Sequence, residues 1–346
     1  PHSHSHYSLD GAATVQQIIK RNIELGASHV TLTEHGNMNS AMELFYLCKK
    51  LNVKPILGIE AYVETPFLDF YRDYYQKTIE EKNLEKKQQK VESKLKNHYV
   101  HLTIHFKDVI AYKYFCELTP LMEERAVVKF GERKPVLKWH ELQKISGHIT
   151  IGSSCLVGAV QSMIYTKFNT SEPKLAEKAY CMLRELAGPN NFFVEVFPHQ
   201  ITHNWKSPKK STDGKIITPG EFIPIGCNNI AADGDIQKVA NKFVIEMAKK
   251  YGDKVLISLD SHFAWKEQKL TQDARLGNGQ ELWKFHQSYH ILSTDEAAEE
   301  LKHTLNLSDK DIEEFVDNSY DFASNFNDFT IQTNADRWVL PEINTD

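Results

Sequence analysis

Apolar positions in the first sixty residues switch repeatedly between two periods. From Thr14 to Leu25, the residues Val15, Ile18, Ile19 and Ile23 fall on one face of a 3.6-residue repeat, which predicts an amphipathic helix ended by Gly26. Ser28–Thr33 (SHVTLT) is a short β-like run that passes into the polar turn Glu34-His35-Gly36-Asn37. A second helix is predicted from Asn39 to Leu51, and Lys54–Ile59 (KPILGI) reads as a buried strand. Further strand-like runs are Tyr99–Ile104, His148–Gly152, Phe192–Phe197 and Val255–Leu259. This alternation is the signature of an α/β domain with a parallel sheet covered by helices.

Two stretches interrupt it. Residues 79–97 are rich in Lys, Glu and Gln, with Leu84, Val91 and Leu95 at helical spacing, and predict a surface helix or helical hairpin inserted into the domain. Residues 201–234 show little periodicity and read as a long loop or irregular insertion. Its basic residues, Lys206, Lys209, Lys210 and Lys215, are candidates for contact with a phosphate backbone, or belong to a plain surface loop. Near the end, Ser293-Thr-Asp-Glu296 and Ser308-Asp-Lys-Asp311 have the form of capping boxes, predicting helices over 294–304 and 309–325. The expected organisation is a main domain over 1–290 and a helical segment over 291–346.

Composition adds bounds. The 346 residues are 41% hydrophobic and 25% charged, as in ordinary globular proteins. No apolar run approaches the ~20 residues of a membrane span, and no apolar signal-peptide core comes after the polar start. Five scattered cysteines argue against a disulfide framework and fit a reducing cytoplasm. A net charge of −5 gives no global attraction to nucleic acid, so such binding would have to be local. The sixteen histidines are unusual, and several stand where a predicted strand ends.

Those histidines carry the candidate chemistry. His2-x-His4 on an extended segment would present both imidazoles to one side, although His6 belongs to the same alternation and spacing alone does not choose among the three. Asp260-x-His262 repeats the geometry just past VLISL. His35, Glu60 and Cys155 each come just after a predicted strand. His101 falls within one, where a core histidine is the plain alternative. Strand ends of a closed parallel barrel converge on one mouth, so these side chains would meet there. Mixed His, Asp, Glu and Cys donors suit Zn, Mn or Fe. A cluster of such ions activates water and offsets charge in phosphoryl transfer. Walker A, dinucleotide-binding, GxSxG and CxxC patterns are all absent.

The segments His2-Ser-His-Ser-His-Tyr-Ser-Leu-Asp-Gly-Ala, Thr33-Glu-His-Gly-Asn-Met, Lys54–Val63, Ile151-Gly-Ser-Ser-Cys-Leu-Val-Gly and Leu259-Asp-Ser-His262 resemble, in order and spacing, the motifs of the PHP (polymerase and histidinol phosphatase) family. The likeness is greatest to the branch found in bacterial DNA polymerase III alpha subunits. Leu340-Pro-Glu resembles the stretch immediately C-terminal to the domain in those proteins. The resemblance implies a distorted seven-stranded (β/α) TIM-like barrel holding two to three divalent ions. The implied ligands are His2, His4, Asp10, His35, Glu60, His101, Cys155, Asp260 and His262, selecting His2 and His4 over His6. Glu34 and Glu195 become candidates for orienting an imidazole from behind. The implied activity is phosphoester hydrolysis, including 3′–5′ exonuclease action on a DNA primer end. The alternatives are a metal-braced scaffold docking replisome proteins and a small-molecule phosphatase. The polymerase carboxylates of that branch lie in a later palm domain, so polymerisation by this stretch of chain is not expected.

Overall fold

The computed structural model describes residues 1–129, 132–164, 172–206, 208–211, 215–225, 234–276, 285–326 and 331. In chain order its elements begin α1 (Val15–Glu24), β1 (His29–Leu32), α2 (Ala41–Leu51), β2 (Lys54–Glu64), α3 (Leu68–Thr78), α4 (Leu84–Lys96), β3 (Tyr99–Phe106) and α5 (Val109–Glu124). Next come β4 (Val127–Lys129), β5 (Glu132–Lys134), β6 (Val136–Leu137), α6 (Trp139–Ile145), β7 (Ile149–Gly152), α7 (Pro173–Ala187) and β8 (Phe192–Val196). The remainder is β9 (His203–Lys206), β10 (Lys209–Lys210), β11 (Ile216–Thr218), β12 (Glu221–Pro224), α8 (Ile236–Tyr251), β13 (Lys254–Ile257), α9 (Lys269–Leu276), α10 (Thr294–Leu305) and α11 (Asp309–Ser324).

The main sheet runs β1-β2-β3-β7-β8-β13, with β6 paired to β2 as its seventh strand. It is not wholly parallel: β3 is antiparallel to both β2 and β7. The reason lies in the stretch between β2 and β3, which includes the helical interruption read over 79–97. It folds as a pair of contacting helices, α3 and α4, and Glu64 at its entry pairs with Tyr99 at its exit. A single crossover helix returns the chain to the strand's starting end, whereas two antiparallel helices return it to the end it left, so the next strand runs back. Val91 and Leu95 anchor α4, but Leu84 is 69% exposed, at the helix start.

Residues 2–4 join the two edges of this curled sheet. The Thr33 amide, just past β1, donates to the Ser3 carbonyl (2.8 Å), and the His4 amide donates to the Ser261 carbonyl (2.7 Å), just past β13. The Ser3 and Ser261 hydroxyls meet at 2.8 Å.

Strand alternation divides the core. Leu57, Ile59 and Ala61 of β2 face the helices, among the buried residues of α1, α2, α5, α7 and α8. Ile56 and Glu60 face the concave side. There Ile56, Phe193 and Leu256 form an apolar layer closed by Phe322 of α11 and the adjacent Phe326. His105 joins it edge-on to Phe322 (5.1 Å) and places Nε2 2.7 Å from the Pro1 carbonyl. Above this layer the concave side is polar.

Both C-terminal capping boxes form: Ser293 caps α10 with Glu296, and Ser308 caps α11 with Asp311. Thr14 caps α1 reciprocally with Gln17. Ile23 shares the α1 periodicity yet is 39% exposed. The expected loop over 201–234 is instead partly strand: β9 pairs with β12 and β10 with β11, both antiparallel. Its residues lacked an alternating apolar signal because the arm lies outside the core, with Asn204, Lys206, Glu221 and Ile223 exposed. Residues 226–233 and Leu340-Pro-Glu lie outside the described residues. No helix among the described residues is long and apolar enough to cross a membrane.

Truncating Phe322 to Ala should open a cavity in the concave layer and cost about 3–5 kcal/mol in urea unfolding. Tyr320→Ala, at a position 70% exposed on the same helix, should change stability by less than about 0.5 kcal/mol.

Candidate metal centre

All nine side chains that the sequence marked as ligands meet on the polar concave side, around Glu60. This carboxylate is fully buried in the middle of β2, since the strand runs to Glu64 rather than stopping at Ile59. One oxygen lies 3.3 Å from His2 Nε2, 3.0 Å from His101 Nδ1 and 3.4 Å from Cys155 Sγ. The other lies 2.5 Å from His35 Nδ1 and 3.7 Å from His4 Nε2. Asp260 Oδ1 stands 3.1 Å from His4 Nε2 and 3.5 Å from His2 Nε2. Asp10 Oδ2 stands 3.3 Å from His35 Nε2 and 3.5 Å from His262 Nε2.

His101 reaches this mouth because its strand is antiparallel. It pairs with Tyr62 near the beginning of β3, so the start of β3 lies beside the later half of β2. His6 has turned away, with its ring against Tyr7 at 4.3 Å. Three overlapping sets each bring a possible metal-ligating atom from every member to within 4.8 Å of the others: His4, His35 and His262; His2, His4 and Asp260; His35, Glu60 and His101.

The supporting contacts are specific. Glu195, fully buried on β8, places Oε1 3.2 Å from His2 Nδ1 and accepts from the Ser258 hydroxyl (2.9 Å) and the Ser154 amide (2.8 Å). Gly152 makes room for it, because a Cβ there would collide with the Glu195 carboxylate. Glu34 does not bond an imidazole directly. Its carboxylate accepts from the Ser5 amide and hydroxyl and from the Ser8 hydroxyl (2.6 Å), and Ser8 Oγ in turn lies 3.2 Å from His4 Nδ1. Ser154 and Asp260 both adopt left-handed backbone, φ 62° and 47°. Such non-glycine conformations cost about 1–3 kcal/mol and cluster at functional sites. Here they let Ser154 bond Glu60 (3.0 Å) beside Cys155, and let the Asp260 carbonyl sit 2.6 Å from His262 Nδ1.

The electrostatics follow from burial. Burial alone would depress the His35 imidazole, but Asp10 and Glu60 outweigh it and hold it well above its usual range. His2 is raised against its own burial by Glu60, Asp260 and Glu195. Burial would raise Asp10 and Glu60, yet the facing imidazoles pull both well below the carboxylate range. His4 is pushed down to about 3 by burial and by His35. Burial and the Glu60 and Asp260 carboxylates raise the Cys155 thiol. Despite the short distances, His2 Nε2, His35 Nδ1, Glu60 Oε2 and Asp10 Oδ1 are buried without a well-aligned hydrogen bond. These buried atoms face a shared space without a well-aligned partner, and once the imidazoles give up their protons they can serve as ligand atoms for a cation. The cavity over the cluster holds about 330 Å³, and no Lys or Arg among the described residues lines it.

Sequence reasoning missed the opposite wall of this cavity, where His199, Phe285 and Tyr289 lie. His199 is 8% exposed, and neither ring nitrogen has a hydrogen-bond partner. It stacks on Tyr289 at 4.2 Å, and Tyr289 stands edge-on to His262 at 5.6 Å. Its place three residues past β8 was the available signal. Of the basic residues in the arm, Lys206 pairs with Glu221 at 2.6 Å. Lys209 and Lys215 are exposed, and the Lys210 side chain lies outside the described residues.

The chain belongs to the PHP domain family, whose profile matches residues 1–199. Asp260 and His262 lie beyond the matched span and join the site through the fold. DNA polymerase III subunit alpha of Borreliella burgdorferi is 24% identical over 337 residues, covering 95% of this chain and 24% of that protein. The same subunit of Treponema pallidum is 25% identical over 276 residues, 80% of this chain and 18% of its own length. The chain thus spans a quarter or less of these relatives. Among solved structures, a Bifidobacterium adolescentis protein described as a candidate metal-dependent phosphoesterase aligns over 75% of this chain and 86% of its own, at 11% identity and a TM-score of 0.36.

Two outcomes are expected from this geometry. His2, His35 and Cys155 hold protons in the metal-free protein, and the His–carboxylate pairing that stabilises it is complete below about pH 6.5 and is lost as pH rises through the elevated imidazole values. Divalent-metal binding must displace those protons, so affinity should rise about tenfold per pH unit for each one released between pH 6 and 8. Calorimetry in buffers of different ionisation enthalpy measures the number. Glu195→Gln, which removes the charge behind His2, should weaken metal binding about 10–100-fold with the fold intact, read by metal titration alongside circular dichroism.

Proposed function

We propose that this chain is a metal-dependent phosphodiesterase unit of a polymerase III alpha-type protein, trimming DNA from its 3′ end. The observation that carries this reading is the charge balance of the site. Asp10, Glu60, Glu195 and Asp260 are buried together with imidazoles, and no Lys or Arg among the described residues lines the cavity above them. A phosphate entering that space would face net negative charge unless cations offset it. His2, His4, Asp10, His35, Glu60, His101, Cys155, Asp260 and His262 would hold two or three such ions, and Zn, Mn or Fe suit these donors. Bound divalent ions would supply Lewis acidity that activates water and neutralises charge developing on the phosphoryl oxygens. The chain's own contribution is placement. Glu195 and Ser8 fix the His2 and His4 rings, and Glu60 spans the cluster.

A second reading, a metal-braced scaffold, has one observation in its favour. His2 and His4 sit on the segment that joins both sheet edges, so ions there would tie the seam. Incubation with Mn or Zn and a 3′-recessed primer–template separates the two. The expected outcome is stepwise shortening of the primer, abolished by chelation and reduced at least about 100-fold by Glu60→Gln. Intact DNA with two or more ions bound per chain would overturn the hydrolytic reading and leave the brace. Faster turnover of a simple phosphomonoester than of DNA would instead point to a small-molecule phosphatase.

A further inference from the structure

The half of the cavity that faces the metal-competent cluster differs from it in chemistry. It is built from the segment after β8, from the β9–β12 arm and from residues 285–289. The arm presents His203 and Trp205 to the cavity. His203 stacks on His286 at 4.1 Å with the rings 21° from parallel. Phe222 of β12 stands edge-on to His286 at 5.1 Å and packs on Trp205 at 4.9 Å. Gly220 lets the backbone pass directly against the Trp205 ring, where a Cβ would collide with it. Deeper in, the stacked pair His199–Tyr289 carries two buried ring nitrogens without a partner.

We infer that this wall is a nucleoside subsite, with a base stacking on the aromatic faces of the arm while His199 hydrogen-bonds the nucleotide whose phosphate faces the cluster. The inference rests on the phosphoester reading of the neighbouring cluster and extends it to the substrate's organic part. Three features select a nucleoside over other phosphate esters. Among the described residues the wall carries neither Lys nor Arg for a second phosphate, nor a carboxylate for a polyamine, so its ligand is uncharged. Stacked and edge-on rings favour a flat aromatic partner over a sugar or an aliphatic chain. The buried, unpartnered imidazole of His199 leaves unmet a hydrogen-bonding capacity that a base edge or sugar hydroxyl would satisfy. Aromatic stacking of this kind accepts every base, as a nuclease that removes successive nucleotides requires.

The test is calorimetric binding of two ligands to the Mn-loaded protein: thymidine 5′-monophosphate and 2-deoxyribose 5-phosphate, which differ by the base alone. The nucleotide should bind about 5- to 150-fold tighter. Trp205→Ala and, separately, His203→Ala should bring that ratio toward one while the metal content stays unchanged. Equal affinities in the unaltered protein, no binding of either ligand, or variants that weaken both ligands alike would overturn the subsite. The hydrolytic reading fails separately. A protein that prefers the nucleotide yet leaves DNA and bis(p-nitrophenyl) phosphate intact keeps the subsite and loses hydrolysis. One that cleaves the latter with equal ligand affinities keeps hydrolysis and loses the subsite.

Discussion

The concentration of buried negative charge around Glu60 is the constraint to which the rest of the structure answers. At an effective dielectric near 20, two unit charges about 4 Å apart interact by about 4 kcal/mol. Glu60, Asp10, Asp260 and Glu195 crowd together, and among the described residues no lysine or arginine lines the space above them. The protein meets that repulsion with imidazoles held above their usual range, and a metal ion bound there would replace their protons with a denser positive charge. Several local oddities become intelligible on this footing. Gly152 leaves room for a carboxylate, Ser154 and Asp260 hold left-handed backbone, and Cys155 stays protonated next to acids.

The concave side is divided by depth. Toward the mouth it is polar and convergent; toward the other end Ile56, Phe193 and Leu256 receive Phe322 and Phe326. The last described helix therefore forms the floor of the space whose upper part holds the candidate site. Asn318 and Lys254 add polar ties between that helix and β13, through the Val255 carbonyl (3.2 Å) and Asp321 (2.8 Å).

Much of this was legible in the sequence, for physical reasons that can be named. Strands buried between helices leave continuous apolar runs, so VLISL and KPILGI stood out, and the polar residue after each run marked the mouth. The rule failed where its premise did. It assumed parallel strands, and β3 runs the other way because two helices precede it, so His101 looked misplaced inside its own strand. Glu60 looked terminal because the apolar run pauses at an acid that faces inward, although the strand continues. Asp10 had no strand to mark it and emerged only through resemblance to a family. The arm over 203–224 was illegible as strand, because its pairing is a matter of backbone hydrogen bonds outside the core and leaves no hydrophobic period. His199 was overlooked because a single histidine beyond a strand says nothing until its lack of partners can be seen.

The seam made by residues 2–4 bears on the order of events during synthesis. Ser3 meets Ser261 across 258 positions of sequence, among the most distant pairings a domain of this size can make. Contacts of such separation are slow to form, because a long loop must be closed before they are rewarded. A growing chain therefore carries the first two imidazoles of the cluster through most of the domain's translation with only their early partners, near Thr33, Glu34 and Glu60, already made. Only when β13 and the turn beyond it have left the ribosome do the two edges and the scattered acids come together. The sets that include Asp260 or His262 can be completed only then, whereas His35, Glu60 and His101 all come from the first third of the chain.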